Sequence, residues 1–162
     1  MPPPRRVWCS CTIIKYLAGD PVAQVCEQIV EQGERGEIEI VVSTLAEAEV
    51  VKVEGELEDD AEAMIREFFG RNYVIRAVLD VPVAETAREL VRHYSGIKPL
   101  DAVHIATALR HNIPILETFD EGMLKINEKE GDPPLVIRTP IYEGPPPGPE
   151  QLVLPGDEIS GE

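Results

Sequence analysis

Three carboxylates in this 162-residue chain stand where an ordinary surface acid would not. Asp101 falls in the first turn of Pro99-Leu100-Asp101-Ala102-Val103-His104-Ile105-Ala106-Thr107-Ala108-Leu109-Arg110, a predicted helix so apolar on nearly every side that it belongs in the middle of a domain. An ionised carboxylate at the mouth of a core is costly unless a cation or hydrogen-bond donors meet it. Glu49 lies four residues after Leu45 and four before Val53, which sets it on an apolar helical stripe. Asp120 follows the short apolar run Ile113 to Leu116. Carboxylates aimed at one place suit Mg2+ or Mn2+, which take hard oxygen ligands and keep several of their waters. A cation held this way polarises a phosphodiester and lowers the pKa of an attacking water, so the implied chemistry is metal-dependent hydrolysis.

Each acid also has a plainer explanation. Asp101 in a first turn is favoured by the helix dipole. Thr118-Phe119-Asp120-Glu121 fits a capping box, and Glu49 can reach solvent past its neighbours. His104, three residues after Asp101 on the same helix face, is expected as a packed histidine with one satisfied nitrogen rather than as a general base. Cys9-Ser10-Cys11 has the form of a soft metal pair. No further cysteine or His cluster completes a zinc site, so buried small residues are the expectation. The sequence holds no glycine-rich phosphate loop of the Walker type and no Gly-x-Ser-x-Gly elbow.

Strands alternating with helices are predicted to position these residues. Val7 to Cys11 reads as a buried strand, on which Cys9 and Cys11 share a face, and Thr12 to Leu17 as a helical turn. Asp20 caps a helix opened by Pro21, with Val22, Val25, Cys26, Ile29 and Val30 as its buried stripe. Ile38 to Ser43 is a second strand, after which Thr44-Leu45-Ala46-Glu47 has the form of a capping box that gives Glu47 a structural task. Helices on Leu57 to Phe68 and from Pro82 flank a strand over Tyr73 to Val78. The central helix is followed by strands at Ile113 to Leu116 and Leu135 to Ile137, with a short helix from Asp120 to Ile126 between them. This order implies an α/β three-layer sandwich: a central parallel sheet of about five strands joined by right-handed crossovers and flanked by helices.

The formal net charge is -15, and that balance by itself argues against a polyanionic ligand, which long-range steering would repel. Five of the acids, however, lie after residue 139, where there is no base. A bound cation would offset part of the remainder locally. Hydrophobic residues make up 43% and aromatic residues only 5%, so the core must be aliphatic, as a helix-covered parallel sheet requires. No apolar run approaches the roughly 20 residues of a membrane span. An odd three cysteines and no apolar leader lead us to expect a cytoplasmic protein without a signal peptide and with no membrane partner. Two segments are expected: a domain over 1–139 and a Pro-rich acidic tail over 140–162 that buries little, so that its deletion would leave the melting temperature nearly unchanged.

The run from Asp101 to Ala108, with Thr118-Phe119-Asp120 after a short strand and Ala48-Glu49-Val50 upstream, resembles a PIN domain of the VapC toxin type. The resemblance covers about residues 7 to 138, because Val7 to Leu17 also fits the family's opening strand and helix. It implies a PIN-like fold and a Mg2+- or Mn2+-dependent endoribonuclease, the toxin of a toxin–antitoxin pair. Glu49, Asp101 and Asp120 would be its metal-binding and catalytic residues, supported by Ser10 and Thr118. RNA substrate, an antitoxin protein and a homodimeric partner follow from the same resemblance. Cys9 departs from it, standing where the family has its first metal-binding Asp, and this weakens the implied activity. The alternative is a catalytically inactive PIN-fold module that binds RNA or a protein.

Overall fold

The computed structural model describes residues 1–145. In chain order these form β1 (Arg5–Trp8), α1 (Ser10–Leu17), a 3-10 turn (Pro21–Ala23), α2 (Val25–Glu34), β2 (Glu39–Ser43), α3 (Thr44–Glu49) and α4 (Glu58–Phe69). There follow β3 (Val74–Ala77), α5 (Val81–His93), α6 (Pro99–Arg110), β4 (Ile115–Glu117), α7 (Glu121–Leu124) and β5 (Val136–Arg138). The five strands make one sheet in the order β3-β2-β1-β4-β5, parallel at every pairing, with helices on both faces. The expected three-layer α/β sandwich is the fold found. Among the described residues no helix is long and apolar enough to cross a membrane.

Strand alternation divides the core in two. Val7 pairs with Val41 and Leu116, and all three point to the face covered by α5 and α6. Trp8, Ile40 and Val42 point to the other, under α1, α2 and α4, where the Trp8 indole stacks on Phe68 with centroids 6.2 Å apart. Helix α6 has the predicted bounds, and every residue from Ala102 to Ala108 is buried, as a helix apolar on all sides demands. The α2 stripe holds at Cys26, Ile29 and Val30. Val22 is exposed because the chain enters that helix through the 3-10 turn, with Asp20 capping Val22 as expected. Within α2, Gly33 leaves room for the Tyr73 ring, with which a Cβ there would clash.

Two local expectations are corrected. The first strand ends at Trp8, and Cys9 is the N-cap of α1, so Cys9 and Cys11 lie on a helix start rather than on one strand face. The capping box at Thr44 does not form. Ser43 Oγ accepts from the Leu45 N–H instead (3.2 Å), one residue earlier, and Glu47 is free to pair with Arg76 at 2.8 Å.

A buried carboxylate that the sequence did not single out locks three strands together. Glu117, fully buried at the end of β4, accepts from Trp8 Nε1 (2.9 Å) and Arg6 Nη1 (3.1 Å) on β1, with Arg138 Nε of β5 at 3.6 Å. It also accepts from the Ile141 N–H (3.1 Å), while Arg6 Nη1 donates to the Ile141 carbonyl (3.2 Å). The first residues of the expected tail are therefore fastened to the domain, with Pro140 buried; residues 146–162 lie outside those described. Removing one partner of a buried, hydrogen-bonded ion pair strands the other. Glu117→Ala is accordingly expected to cost roughly 3–5 kcal/mol in urea unfolding. Truncation before Pro140 should now lower the melting temperature as well, because it removes both Ile141 contacts; an unchanged midpoint would show that they contribute nothing.

Candidate active site

The chain runs from β1 outward to β2 and β3 on one side, then crosses over to β4 and β5 on the other. The strand order thus reverses between β1 and β4, and in open parallel sheets ligands bind outside the carboxyl ends of the strands at such a point. Cys9 directly follows β1, and Thr118 directly follows β4. Glu49 ends α3, the short helix that β2 feeds, and Asp101 opens α6, which packs across β1 and β2. Each sequence-predicted residue thus belongs to an element bordering this one edge.

The electrostatics of Asp101 report its neighbours. Burial pushes its carboxyl above the ordinary aspartate value; the charge of Asp120 pushes the same way, as to a lesser extent does that of Glu49, while His104 and Lys98 oppose them. Asp101 carries no side-chain hydrogen bond among the described residues. The other two acids are partly committed. Asp120 caps α7, its Oδ1 accepting from the Met123 N–H (2.9 Å), and its own N–H donates to Thr118 Oγ1 (3.1 Å). The expected capping box at Thr118 is thereby replaced by a cap at Asp120. Gly122 matters here, since a Cβ at that position would sit 3.0 Å from Asp120 Oδ1. Glu49 Oε1 lies 2.8 Å from His104 Nε2, a ring 1% exposed whose Nδ1 has no partner among the described residues.

Two cysteines complete the edge. The Cys9 thiol, 2% exposed, donates to Thr118 Oγ1 at 3.1 Å, and Cys11 Sγ is 2.8 Å from Cys9 Sγ and 3.4 Å from Thr118 Oγ1. Burial, then the neighbouring Cys11, pushes the Cys9 thiol well up. Cys11 is brought down to about 6, first by its hydrogen bond with Cys9 and further by Thr118 and the Phe119 backbone, against the effect of its own burial. Ser10, the first residue of α1, makes no side-chain hydrogen bond among the described residues. The role of Cys11 and the pairing of His104 with Glu49 were not foreseen. The only hint lay in spacing: Cys11 two residues after Cys9, and His104 three after Asp101.

As the side chains stand, no three His, Cys, Asp or Glu residues among those described are close enough to hold a metal ion. Burial is the larger cause of the raised Asp101 carboxyl, and the nearby charges of Asp120 and Glu49 add to it. The two observations fit together if a hard cation is held by Asp101 and a free oxygen of Asp120, with water filling its remaining positions, as Mg2+ accepts. Glu49, tied to His104, then stands one step further out.

A family model for the PIN domain matches residues 10–129, nearly three quarters of the chain. The chain belongs to the PIN domain family. The matched span opens one residue after Cys9 and includes Glu49, Asp101, Thr118 and Asp120. Among solved structures the chain is similar to one in the crystal structure of VapBC2 from Rickettsia felis bound to a DNA fragment from their promoter. Identity is 13% and the TM-score 0.59, over 83% of this chain and 96% of that one, a likeness of fold. No curated protein matches the chain.

Because its pKa is raised on folding, Asp101 binds its proton more tightly in the folded protein than in the unfolded chain. Its contribution is therefore fully present below the ordinary aspartate value and is lost as pH rises through the raised one. Above that window the ionised group is a burden on the fold. Asp101→Asn is expected to raise the metal-free melting temperature at neutral pH by a few degrees and to leave it unchanged near pH 3. A loss of stability at neutral pH would mean that the carboxylate is a structural cap.

Proposed function

We propose that this PIN-domain protein is a nuclease that hydrolyses RNA within the strand, using Mg2+ or Mn2+, and acts as the toxin of a toxin–antitoxin pair. The observation that carries this reading is the placing of Asp101 near the charges of Asp120 and Glu49 at the strand-order reversal of a PIN-type sheet. Asp101 and Asp120 would hold the cation, with Glu49 beside them; when bound, it would polarise the phosphodiester and acidify a water. The chain's own residues do the positioning. His104 orients the Glu49 carboxylate, and Thr118 fixes the loop that carries Asp120. A cation at this edge also offsets the repulsion that an acidic protein presents to a polyanion. The VapBC2 neighbour, a named pair bound to promoter DNA, supports an antitoxin as partner. A homodimer and a cytoplasmic setting belong to the same proposal, as does a supporting role for Ser10.

A second reading, a PIN-fold module without nuclease activity, is favoured by one specific residue. Cys9 supplies no hard oxygen, and its raised pKa keeps it neutral, so the site has one ligand and one negative charge fewer than the family pattern. Cleavage of RNA by the purified chain across a Mg2+ titration separates the two. Asp101→Asn is expected to reduce cleavage by roughly a hundredfold or more, whereas Glu47→Gln should cleave as the parent does. Cys9→Asp should tighten Mg2+ dependence and increase the rate. If Cys9→Asp binds the ion more tightly yet cleaves nothing, the non-catalytic reading stands.

A further inference from the structure

The strongest unassigned chemistry lies in the two thiols at the start of α1. Their sulfurs are 2.8 Å apart, closer than two unbonded sulfurs ordinarily sit, and a bond of about 2.05 Å requires a further approach of under 1 Å. A shared zinc would require the opposite movement, since tetrahedral Zn–S bonds of about 2.3 Å hold their sulfurs roughly 3.8 Å apart. No third His, Cys, Asp or Glu among the described residues joins them to complete such a site. The thiols are also unequal. Cys11 is partly exposed and Cys9 is buried, the arrangement of an attacking and a resolving cysteine.

We propose that Cys9 and Cys11 are a reversible oxidation site, closing to an intrachain disulfide when a hydroperoxide reacts at Cys11. The Cys11 thiolate attacks one peroxide oxygen; an S–O bond forms, the O–O bond breaks, and the leaving alkoxide or hydroxide takes a proton. The resulting sulfenic acid is attacked by Cys9 sulfur, forming the S–S bond as the S–O bond breaks, and water leaves with the Cys9 proton. Two thiols and one hydroperoxide thus give one disulfide, one alcohol or water, and one water. The consequence reaches the carboxylates through a single hydroxyl. Oxidation removes the thiol proton that Cys9 donates to Thr118 Oγ1, the same oxygen that accepts from the Asp120 N–H.

The test does not depend on the nuclease reading, because its readout is mass. Trypsin releases Cys9 and Cys11 together on the peptide Val7 to Lys15 and Cys26 separately on Tyr16 to Arg35. The folded chain is exposed to graded hydrogen peroxide, alkylated and digested. The expected result is loss of two hydrogens from Val7–Lys15, reversed by dithiothreitol, at doses where the fully buried Cys26 still alkylates after unfolding. Cys9→Ser, unable to resolve the intermediate, should instead accumulate an oxygen or a dimedone adduct on Cys11; if that variant fails to fold, the parent's mass shift and its reversal decide alone. Two alkyl groups on Val7–Lys15 at every dose, or cross-linking between chains in its place, would overturn the proposal.

Discussion

Parallel pairing of β1 with both β2 and β4 is the constraint from which the rest follows. Because those three strands run in one direction, their carboxyl ends lie along one edge, and the strand order reverses between β1 and β4, where open parallel sheets bind ligands. Whatever the sequence places directly after those strands is gathered there. Cys9 and Thr118 arrive that way, Asp120 two residues later, and Glu49 one short helix later. Asp101 comes from above, carried by a helix buried along most of its length. The site is a consequence of sheet topology before it is a matter of individual side chains.

Holding β1 against β4 and β5 is Glu117, and its placement separates two kinds of buried charge. Glu117 is met by Arg6, the Trp8 indole and a backbone N–H, so its desolvation is compensated within the protein. Asp101 is desolvated among other acids, opposed only by the weaker influence of His104 and Lys98. One carboxylate is satisfied by the fold, and the other has no side-chain hydrogen bond among the described residues. That contrast, within one small domain, is why Asp101 reads as functional and Glu117 as structural.

Much of this was legible in the residues. The bounds of α6 follow from an uninterrupted apolar run after Pro99, and the five parallel strands from apolar runs alternating with amphipathic helices. Glu49 was set apart from Glu47 by an apolar stripe running from Leu45 to Val53, but α3 ends at Glu49, so Val53 lies beyond the helix and only the Leu45 half of that stripe exists. Other features were not legible, for physical reasons. A helix start differs from a strand end by one set of backbone angles, so the step from Trp8 to Cys9 left no mark in hydrophobicity. Glu117 follows the predicted strand Ile113 to Leu116, and nothing near it in sequence marks it, since its Trp8 and Arg6 partners lie 109 and 111 positions away. Thr44 lost its capping role to Ser43 because either hydroxyl can cap, and Glu47 found a partner in Arg76, 29 residues on.

The proposed function rests on Asp101, whose carboxyl is raised by burial and by the charges of Asp120 and Glu49. The direct measurement is the ionisation of Asp101 itself, followed by the carboxyl 13C shift in a pH titration with and without Mg2+. Without the ion, the account predicts an Asp101 pKa above the ordinary aspartate value; with Mg2+ it should fall, as the cation favours the ionised form. An Asp101 that titrates normally and is unmoved by Mg2+ or Mn2+ would contradict the central claim.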